Sequence, residues 1–368
     1  MSDEIEKLKT NYDVHGHVEE PVVIPRKPES GLVLLVGSSG SGKSTILRNW
    51  FGDIDELDVD ENINTIELFS SVQRGEKLLV QCGLRSIPTW FRPLKTLSNG
   101  ERHRALTALG IDRDRQFVDE FTSVVDRDTA KSLSWSLRKN FTGGLLVIAT
   151  CHHDVEEWLC PDIIYDTDKC QFVDRRYLRR PDIRLDIRRG CYEDWVYFKK
   201  HHYLASNVNK ACHFYVATIG EKKVGFVAVI HRCGGHIRTY WGESRLVVLP
   251  EFQGLGIGTR LSDAIAEEYV SRGLRYQSKT AHPVLGEHRQ RSPLWKPTSS
   301  NLKLSVSSYL NADGTPRLQK GFGKTEAETI RDANRLCYSH EYIGANPNKY
   351  GTYVNKFDYV IGITMIGN

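Results

Sequence analysis

Two clusters of glycine, each beside residues able to hold or polarise an anion, carry the first chemistry visible in this 368-residue sequence. In the earlier cluster Gly37, Gly42, Lys43 and Ser44 fit the spacing G-x-x-x-x-G-K-[ST], with Gly40 inside the loop and Thr45 just after it. Glycines there let main-chain N–H groups turn inward onto a β-phosphate, lysine reaches the β- and γ-phosphates, and the hydroxyl can hold Mg²⁺. The later cluster is Gln253, Gly254, Gly256 and Gly258, whose amides would grip a pyrophosphate by the same physics. Three further groups suit proton or metal work. They are the adjacent acids Asp119 and Glu120, Glu243 upstream of the second cluster, and the His202–Tyr203 pair in FKKHHYL.

Each group needs an element to position it. GLVLLV before the first loop reads as an apolar strand, and the residues from Lys43 read as a helix, which is the context a phosphate loop requires. Asp119 and Glu120 end a strand-like QFVDE (116–120). A β run over 145–150 ends in CHHD, which brings His152 and His153 to a strand tip. FYVATIGEKKVGFVAVI alternates on either side of 220–223 and predicts a hairpin. Residues 244–249 read as a strand, followed by the second glycine loop. The four-residue spacing of Ile257, Leu261, Ile265 and Tyr269 then predicts an amphipathic helix.

In the first half the order of parts resembles the ABC-type ATPases. LSNGER (97–102) stands where that family has its LSGGQ signature. The resemblance implies that Ser98 and Gly100 pin the γ-phosphate of a nucleotide held by a second subunit. It further implies that Asp119 coordinates Mg²⁺, that Glu120 polarises the attacking water, that Asp126 ends the D-loop, and that His152 or His153 senses the γ-phosphate. The sequence departs from the family with Asn99 for a second glycine and Glu101 for glutamine, and Leu97 comes only 54 positions after Lys43. That is short for the helical subdomain of a transporter ATPase, so a non-transport ATPase with a reduced subdomain is expected. Gln73, after a strand-like IELF, is a candidate for the Q-loop glutamine or a plain loop residue.

The second half resembles the GNAT N-acyltransferases. Strand, Gln253, Gly254, Gly256, Gly258 and helix fit their Q/R-x-x-G-x-G/A pyrophosphate loop, whereas no acidic residue ends a second strand about 20 residues on, as a dinucleotide site would need. The resemblance implies an acetyl-CoA site in which main-chain donors near Val248, within 247–249, polarise the acetyl carbonyl. It makes Glu243 the first candidate for the base, although a strand-end glutamate at the surface would read the same way. His202 and Tyr203 are similar to a His-Tyr pair of the GNAT-like DNA-momylating enzymes. His282 could line the acceptor cavity or sit in a loop. An ATPase followed by a GNAT domain looks like fusions seen in prokaryotes and phages.

Length and composition agree with two α/β domains, read as 1–174 and 175–368, at ~100 to 200 residues per domain. With 40% hydrophobic and 26% charged residues the chain is globular, and its eight cysteines form no C-x-x-C pair. The acidic, charged start and the lack of a long apolar run point away from secretion and bilayer insertion, towards a cytoplasmic protein. Charge divides unevenly. Residues 175–368 hold 30 Lys+Arg against 17 Asp+Glu, and residues 1–174 hold 20 against 29. A basic half suits a polyanion, or else an acidic partner half. Basic and aromatic residues interleave over 272–303, with Arg275, Tyr276, Arg289, Arg291 and Trp295 among them, as in a surface that contacts phosphates and stacks bases. The expected activity is an ATP-hydrolysing N-acetyltransferase that forms an ATP-dependent homodimer and acts on an amino group of a nucleic-acid base. The alternatives are a nucleic-acid-binding ATPase whose GNAT-like half only docks, and an acetyltransferase of a small amine or protein.

Overall fold

GLVLLV offers water no polar side chain, and such a strand is stable only with both faces covered. In the computed structural model it forms β1 (Gly31–Val36), the middle strand of a five-stranded sheet. The structure describes residues 2–11, 21–52, 54, 57–174, 181–202, 207–234, 237–304, 330, 336–344 and 361–365. The other strands of this sheet are β2 (Phe117–Val118), β3 (Leu145–Thr150), β4 (Ile163–Asp166) and β5 (Gln171–Val173), in the order β2-β3-β1-β4-β5. β1 pairs in parallel with β3 and β4, and β4 and β5 form an antiparallel edge. Leu32, Leu34 and Val36 enter the core on one face, while Val33 and Leu35 meet Ile46 and Leu47 on the other.

Helix α1 (Ser2–Asn11) precedes this sheet, and α2 (Lys43–Phe51) follows β1. Three helices lie between α2 and β2: α3 (Val72–Gln81), α4 (Ile87–Trp90) and α5 (Asn99–Asp112). α6 (Arg127–Asn140) joins β2 to β3, and α7 (Val155–Leu159) follows β3. The expected strand at IELF is a 3-10 turn, Thr65–Leu68, in which Thr65 and Ile66 are buried together. Four residues cannot alternate faces once the first two both point inward. Gln73 accordingly lies on the first turn of α3, exposed, and not in a loop after a strand.

The second sheet has eight strands in the order β11-β12-β10-β9-β8-β7-β6-β13. They are β6 (Ile183–Arg189), β7 (His213–Ile219), β8 (Lys222–Gly234), β9 (Ile237–Val248), β10 (Tyr276–Thr280), β11 (Trp295–Pro297), β12 (Tyr338–Tyr342) and β13 (Ile361–Met365). Its helices are α8 (Tyr192–Phe198), α9 (Ile257–Val270) and α10 (Pro283–Arg291). The expected hairpin is present, with Ile219 opposite Lys222. The four apolar residues spaced along α9 are all buried in the second core. The apolar C-terminal strand adds to the sheet edge beside β6.

Site geometry follows from one irregularity of this sheet. β9 and β10 run parallel but pair only over Trp241–Glu243 and Tyr276–Ser278. Beyond that point they part, and the gap between them opens a cavity.

The two sheets meet at a packed seam. Trp135 of α6 is 1% exposed and belongs to the second core, although its helix belongs to the first sheet. Arg104 of α5 is 2% exposed, and its guanidinium donates to the carbonyls of Gly100 (3.1 Å), Gly83 (3.2 Å) and, across the seam, Pro250 (3.0 Å). Lys222 reaches Asp128 at 2.5 Å, and His282 Nε2 lies 3.3 Å from the Arg85 carbonyl.

Candidate functional site

The first loop is built as its glycines predict. Gly40 and Gly42 have φ of 83° and 91°, in the left-handed region that costs other residues energy. A Cβ on Gly40 would meet nothing within 4 Å, so the concave side of the loop is open. Gly42 caps α2 without any side-chain hydrogen bond, which leaves the first amides of the helix directed at an incoming anion. Lys43 is buried, and its Nζ donates to the carbonyls of Gly37 (2.8 Å) and Ser38 (2.6 Å). Asp168, after β4, fixes the back of the loop by accepting from the Ser38 hydroxyl (2.6 Å) and amide (2.8 Å). Those two bonds hold the Asp168 carboxyl below the usual carboxylate range.

Ser44 and Asp119, 75 residues apart, come together: the hydroxyl donates to the carboxylate at 2.8 Å. A hydroxyl and a carboxylate beside open amides form a donor set that fits a hard cation completed by phosphate oxygens. Glu120 follows with φ of 50° and accepts from the Ser123 hydroxyl. Glu120 is exposed, two residues beyond the end of the short strand β2. Thr45 is exposed on the first turn of α2. Of the two histidines, His152 is half-buried, with Nδ1 2.8 Å from the Thr122 hydroxyl, which in turn meets Thr150 at 2.8 Å. His153 is exposed and pairs with Glu156.

Ser98 caps α5. Its hydroxyl accepts from the Glu101 amide (3.3 Å), and the Glu101 carboxylate takes the Ser98 amide (3.0 Å). Ser98 and Glu101 thus form a reciprocal capping box at the start of α5. Gly100 packs against Thr129 of α6, 3.2 Å from where its Cβ would stand. Asp126 caps α6; although burial opposes it, hydrogen bonds from Thr129 hold its carboxyl below the usual range.

The second loop repeats the first in its backbone. Gly254 and Gly256 have φ of 97° and 81°, Gly256 caps α9 with no side-chain hydrogen bond, and Gly258 sits in the first turn. The Gln253 amide nitrogen donates to the Val248 carbonyl at 2.9 Å and ties the loop to β9. Val247 and Val248 line the cavity, while the Leu249 amide is spent on Val224. The cavity measures about 180 Å³. Its walls come from residues 243–248, the glycine loop, Lys279, Thr280 and His282, together with His201 and His202 and, from the first half of the chain, residues 85–88.

Glu243 does not have the surroundings of a proton acceptor. Its side chain is 5% exposed and paired with Arg289 at 2.7 Å, and it accepts from Ser262 (2.7 Å) and Ser278 (2.9 Å). The oxygens of this buried carboxylate are engaged by a guanidinium and two hydroxyls, all from the protein itself. Arg289 also donates to Ser278 (2.6 Å) and Ser262 (2.7 Å). The cluster therefore clamps β9, β10, α9 and α10 at the apex of the gap, and Glu243 positions the cavity. His202 stands edge-on to Trp195 and lines the cavity, whereas Tyr203 lies outside the described residues. His282, weighed in sequence as a lining residue, does line it. Burial, opposed by the hydrogen bond with Arg85 and reinforced by the charge of Arg85, pushes its imidazole down to about 4.

The basic and aromatic segment 272–303 is not the stacking surface its composition suggests. Tyr276 and Trp295 are buried in the core, Arg275 is engaged by Glu341 (2.8 Å), and Arg291 stands 3.6 Å from Glu287. Alternation along β10 sends Tyr276 inward, and Trp295 donates to buried Asp263 at 2.7 Å. Sequence reasoning missed Arg85, which lines the cavity without any local motif to announce it.

Residues 210–291, from β7 through α10, match the family model of the acetyltransferase (GNAT) domain. Solved structures to which the chain is similar include a post-hydrolysis dimer of the ATP-binding cassette MJ0796 bound to ADP and phosphate. It is 17% identical and matches over 37% of this chain and 80% of that one, with a TM-score of 0.31. Another is a bacterial Atm1-family ABC exporter with ATP bound, at 16% identity, 46% and 43% coverage and a TM-score of 0.31. A third is a Bacillus subtilis acetyltransferase in complex with CoA, at 12% identity, 43% and 97% coverage and a TM-score of 0.29. No curated protein sequence matches the chain. Among the described residues no helix is long and apolar enough to cross a membrane.

Proposed function

We propose that the chain is an ATP-hydrolysing N-acyltransferase that moves an acetyl group from acetyl-CoA to an amino group. The observation that supports this best is the cavity between β9 and β10, which opens beside an uncapped helix behind left-handed glycines, within the stretch that matches the GNAT domain. In the first half Lys43 and the amides of the loop hold the triphosphate, Glu120 orients the attacking water and His152 senses the γ-phosphate. Mg²⁺, held by Ser44 and Asp119, would neutralise phosphate charge. Ser98 and Gly100 act on the nucleotide of a second copy, so ATP promotes a homodimer.

At the cavity the acceptor amine attacks the acetyl carbonyl. A C–N bond forms as the C–S bond breaks, the amine proton passes to the His202 imidazole at the wall, and that imidazolium gives a proton to the departing CoA thiolate. The acceptor we favour is an exocyclic or modified base amine of DNA or RNA, because the second half carries 30 Lys+Arg against 17 Asp+Glu. The test is to incubate the full chain with labelled acetyl-CoA and DNA, RNA, protein extract or polyamines, with and without ATP and Mg²⁺. Label in nucleic acid that declines steeply with added salt supports the reading. Label in polyamines or protein would exclude the polymer acceptor, and no label in any arm would overturn the transferase.

A further inference from the structure

We propose that Arg85, a residue of the ATPase-like half, is a phosphate ligand of the acyl-CoA site, which is therefore built by both halves of the chain. The proposal rests on reading the second glycine loop as an acyl-CoA loop. Coenzyme A brings a pyrophosphate and a ribose phosphate, several negative charges in all. The loop, EFQGLGIGT (251–259), contains no lysine or arginine, and the first cation after it is Arg260, on the first turn of α9. Gln253 stands where the motif also allows arginine, and its amide nitrogen is spent on the Val248 carbonyl. The uncapped start of α9 contributes only about half an elementary charge.

The cavity takes Arg245 and Lys279 from the second half and a further cation from across the seam. Arg85 lines the same cavity as Gln253, Gly254, Gly256 and Gly258. One guanidinium nitrogen lies 3.5 Å from the Ser136 hydroxyl, and that hydroxyl lies 2.5 Å from where a Cβ on Gly254 would stand. The Arg85 head group is thus beside the loop at its first left-handed glycine. Its position is set by buried structure: a single nitrogen of Arg104 donates to Gly83, two residues before Arg85, and to Pro250, three before Gln253. Glycine at 254 is required for this approach, since any side chain would strike α6 at Ser136 and Ser132. A planar, permanently charged fork beside a phosphate cradle is suited to bidentate contact with phosphate oxygens.

The experiment titrates the full-length protein with acetyl-CoA and with acetyl-pantetheine, which keeps the thioester arm and lacks the phosphates. Arg85→Gln is expected to raise the Kd for acetyl-CoA about tenfold or more and to leave that for acetyl-pantetheine unchanged. Arg85→Lys, which keeps the charge and the stem, is expected to recover most of the loss. An unchanged acetyl-CoA Kd in Arg85→Gln would overturn the proposal. An equal loss for both compounds would do the same, since it would mark Arg85 as a strut of the seam. If wild-type protein bound no acetyl-CoA at all, the reading of the loop would fall with it; wild-type binding indifferent to Arg85 removes this proposal only.

Discussion

The loops at Gly37–Lys43 and Gln253–Gly258 use one backbone design and differ in where their cation comes from. Both follow a sheet strand, and both end on a left-handed glycine cap, with φ and ψ of 91° and 10° at Gly42 and 81° and 4° at Gly256. Neither cap receives a side-chain hydrogen bond, so each helix presents open amides to an anion. The first loop supplies its own charge from the next residue, Lys43, already folded over the loop carbonyls. The second has no lysine or arginine over 251–259, and the cavity beside it is lined by Arg245 and Lys279 of the second half and by Arg85 of the first. A loop with a built-in lysine can work as a self-contained unit, whereas the proposed role of Arg85 makes the other depend on the seam between the two sheets.

The largest effect that separates the loops is expected from Lys43→Ala. Removing a positioned charge from a phosphoryl-transfer site costs on the order of 10²- to 10³-fold in rate. Phosphate release should fall by that factor while calorimetric binding of acetyl-CoA is unchanged; loss of both would mean the loops are not separate sites. Gly256→Glu is the mirror experiment. A left-handed non-glycine residue costs roughly 1–3 kcal/mol, and its carboxylate would face the ligand phosphates, so acetyl-CoA affinity should drop by about 10²-fold with ATP hydrolysis retained. Equal acetyl-CoA affinity in this variant would remove the loop from the site.

Glu243→Gln is expected to act on stability. Losing the charge opposite buried Arg289 should cost about 2 kcal/mol in denaturant unfolding, with the pH profile of transfer keeping its wild-type limb. Abolished transfer at unchanged stability would restore Glu243 as the base. The smallest effect is expected at His282. Its folded pKa of about 4 is below the unfolded value, so the unfolded chain binds more protons between about pH 4 and 6.5. Stability from keeping this imidazole neutral is complete above that window and is lost as pH falls through it. His282→Gln should therefore lose less stability than wild type between pH 7 and 5, and identical losses would contradict the assignment.

Sequence made the loops legible because glycine, lysine and serine at fixed spacing act through local backbone. The helix after the second loop was equally legible from its apolar spacing. What stayed hidden depends on residues far apart in the chain. Glu243 reads as a strand carboxylate until Arg289, Ser262 and Ser278 arrive from three other elements. Tyr276 and Trp295 look like stacking rings, and only the pairing of β10 and β11 into the sheet places them in the core. Arg85 and Arg104 carry no motif, because their partners Ser136 and Pro250 are 51 and 146 residues away.

The central claim is that one chain holds two distinct phosphate cradles, one for ATP and one for acetyl-CoA. Because coenzyme A itself contains an adenosine diphosphate moiety, the direct measurement is a calorimetric titration of acetyl-CoA into full-length protein, alone and saturated with a non-hydrolysable ATP analogue and Mg²⁺. The account predicts one acetyl-CoA bound per chain in both cases, with the analogue retained. Displacement of either ligand by the other, or loss of acetyl-CoA binding in Lys43→Ala, would show that both compete for the first loop and would contradict it.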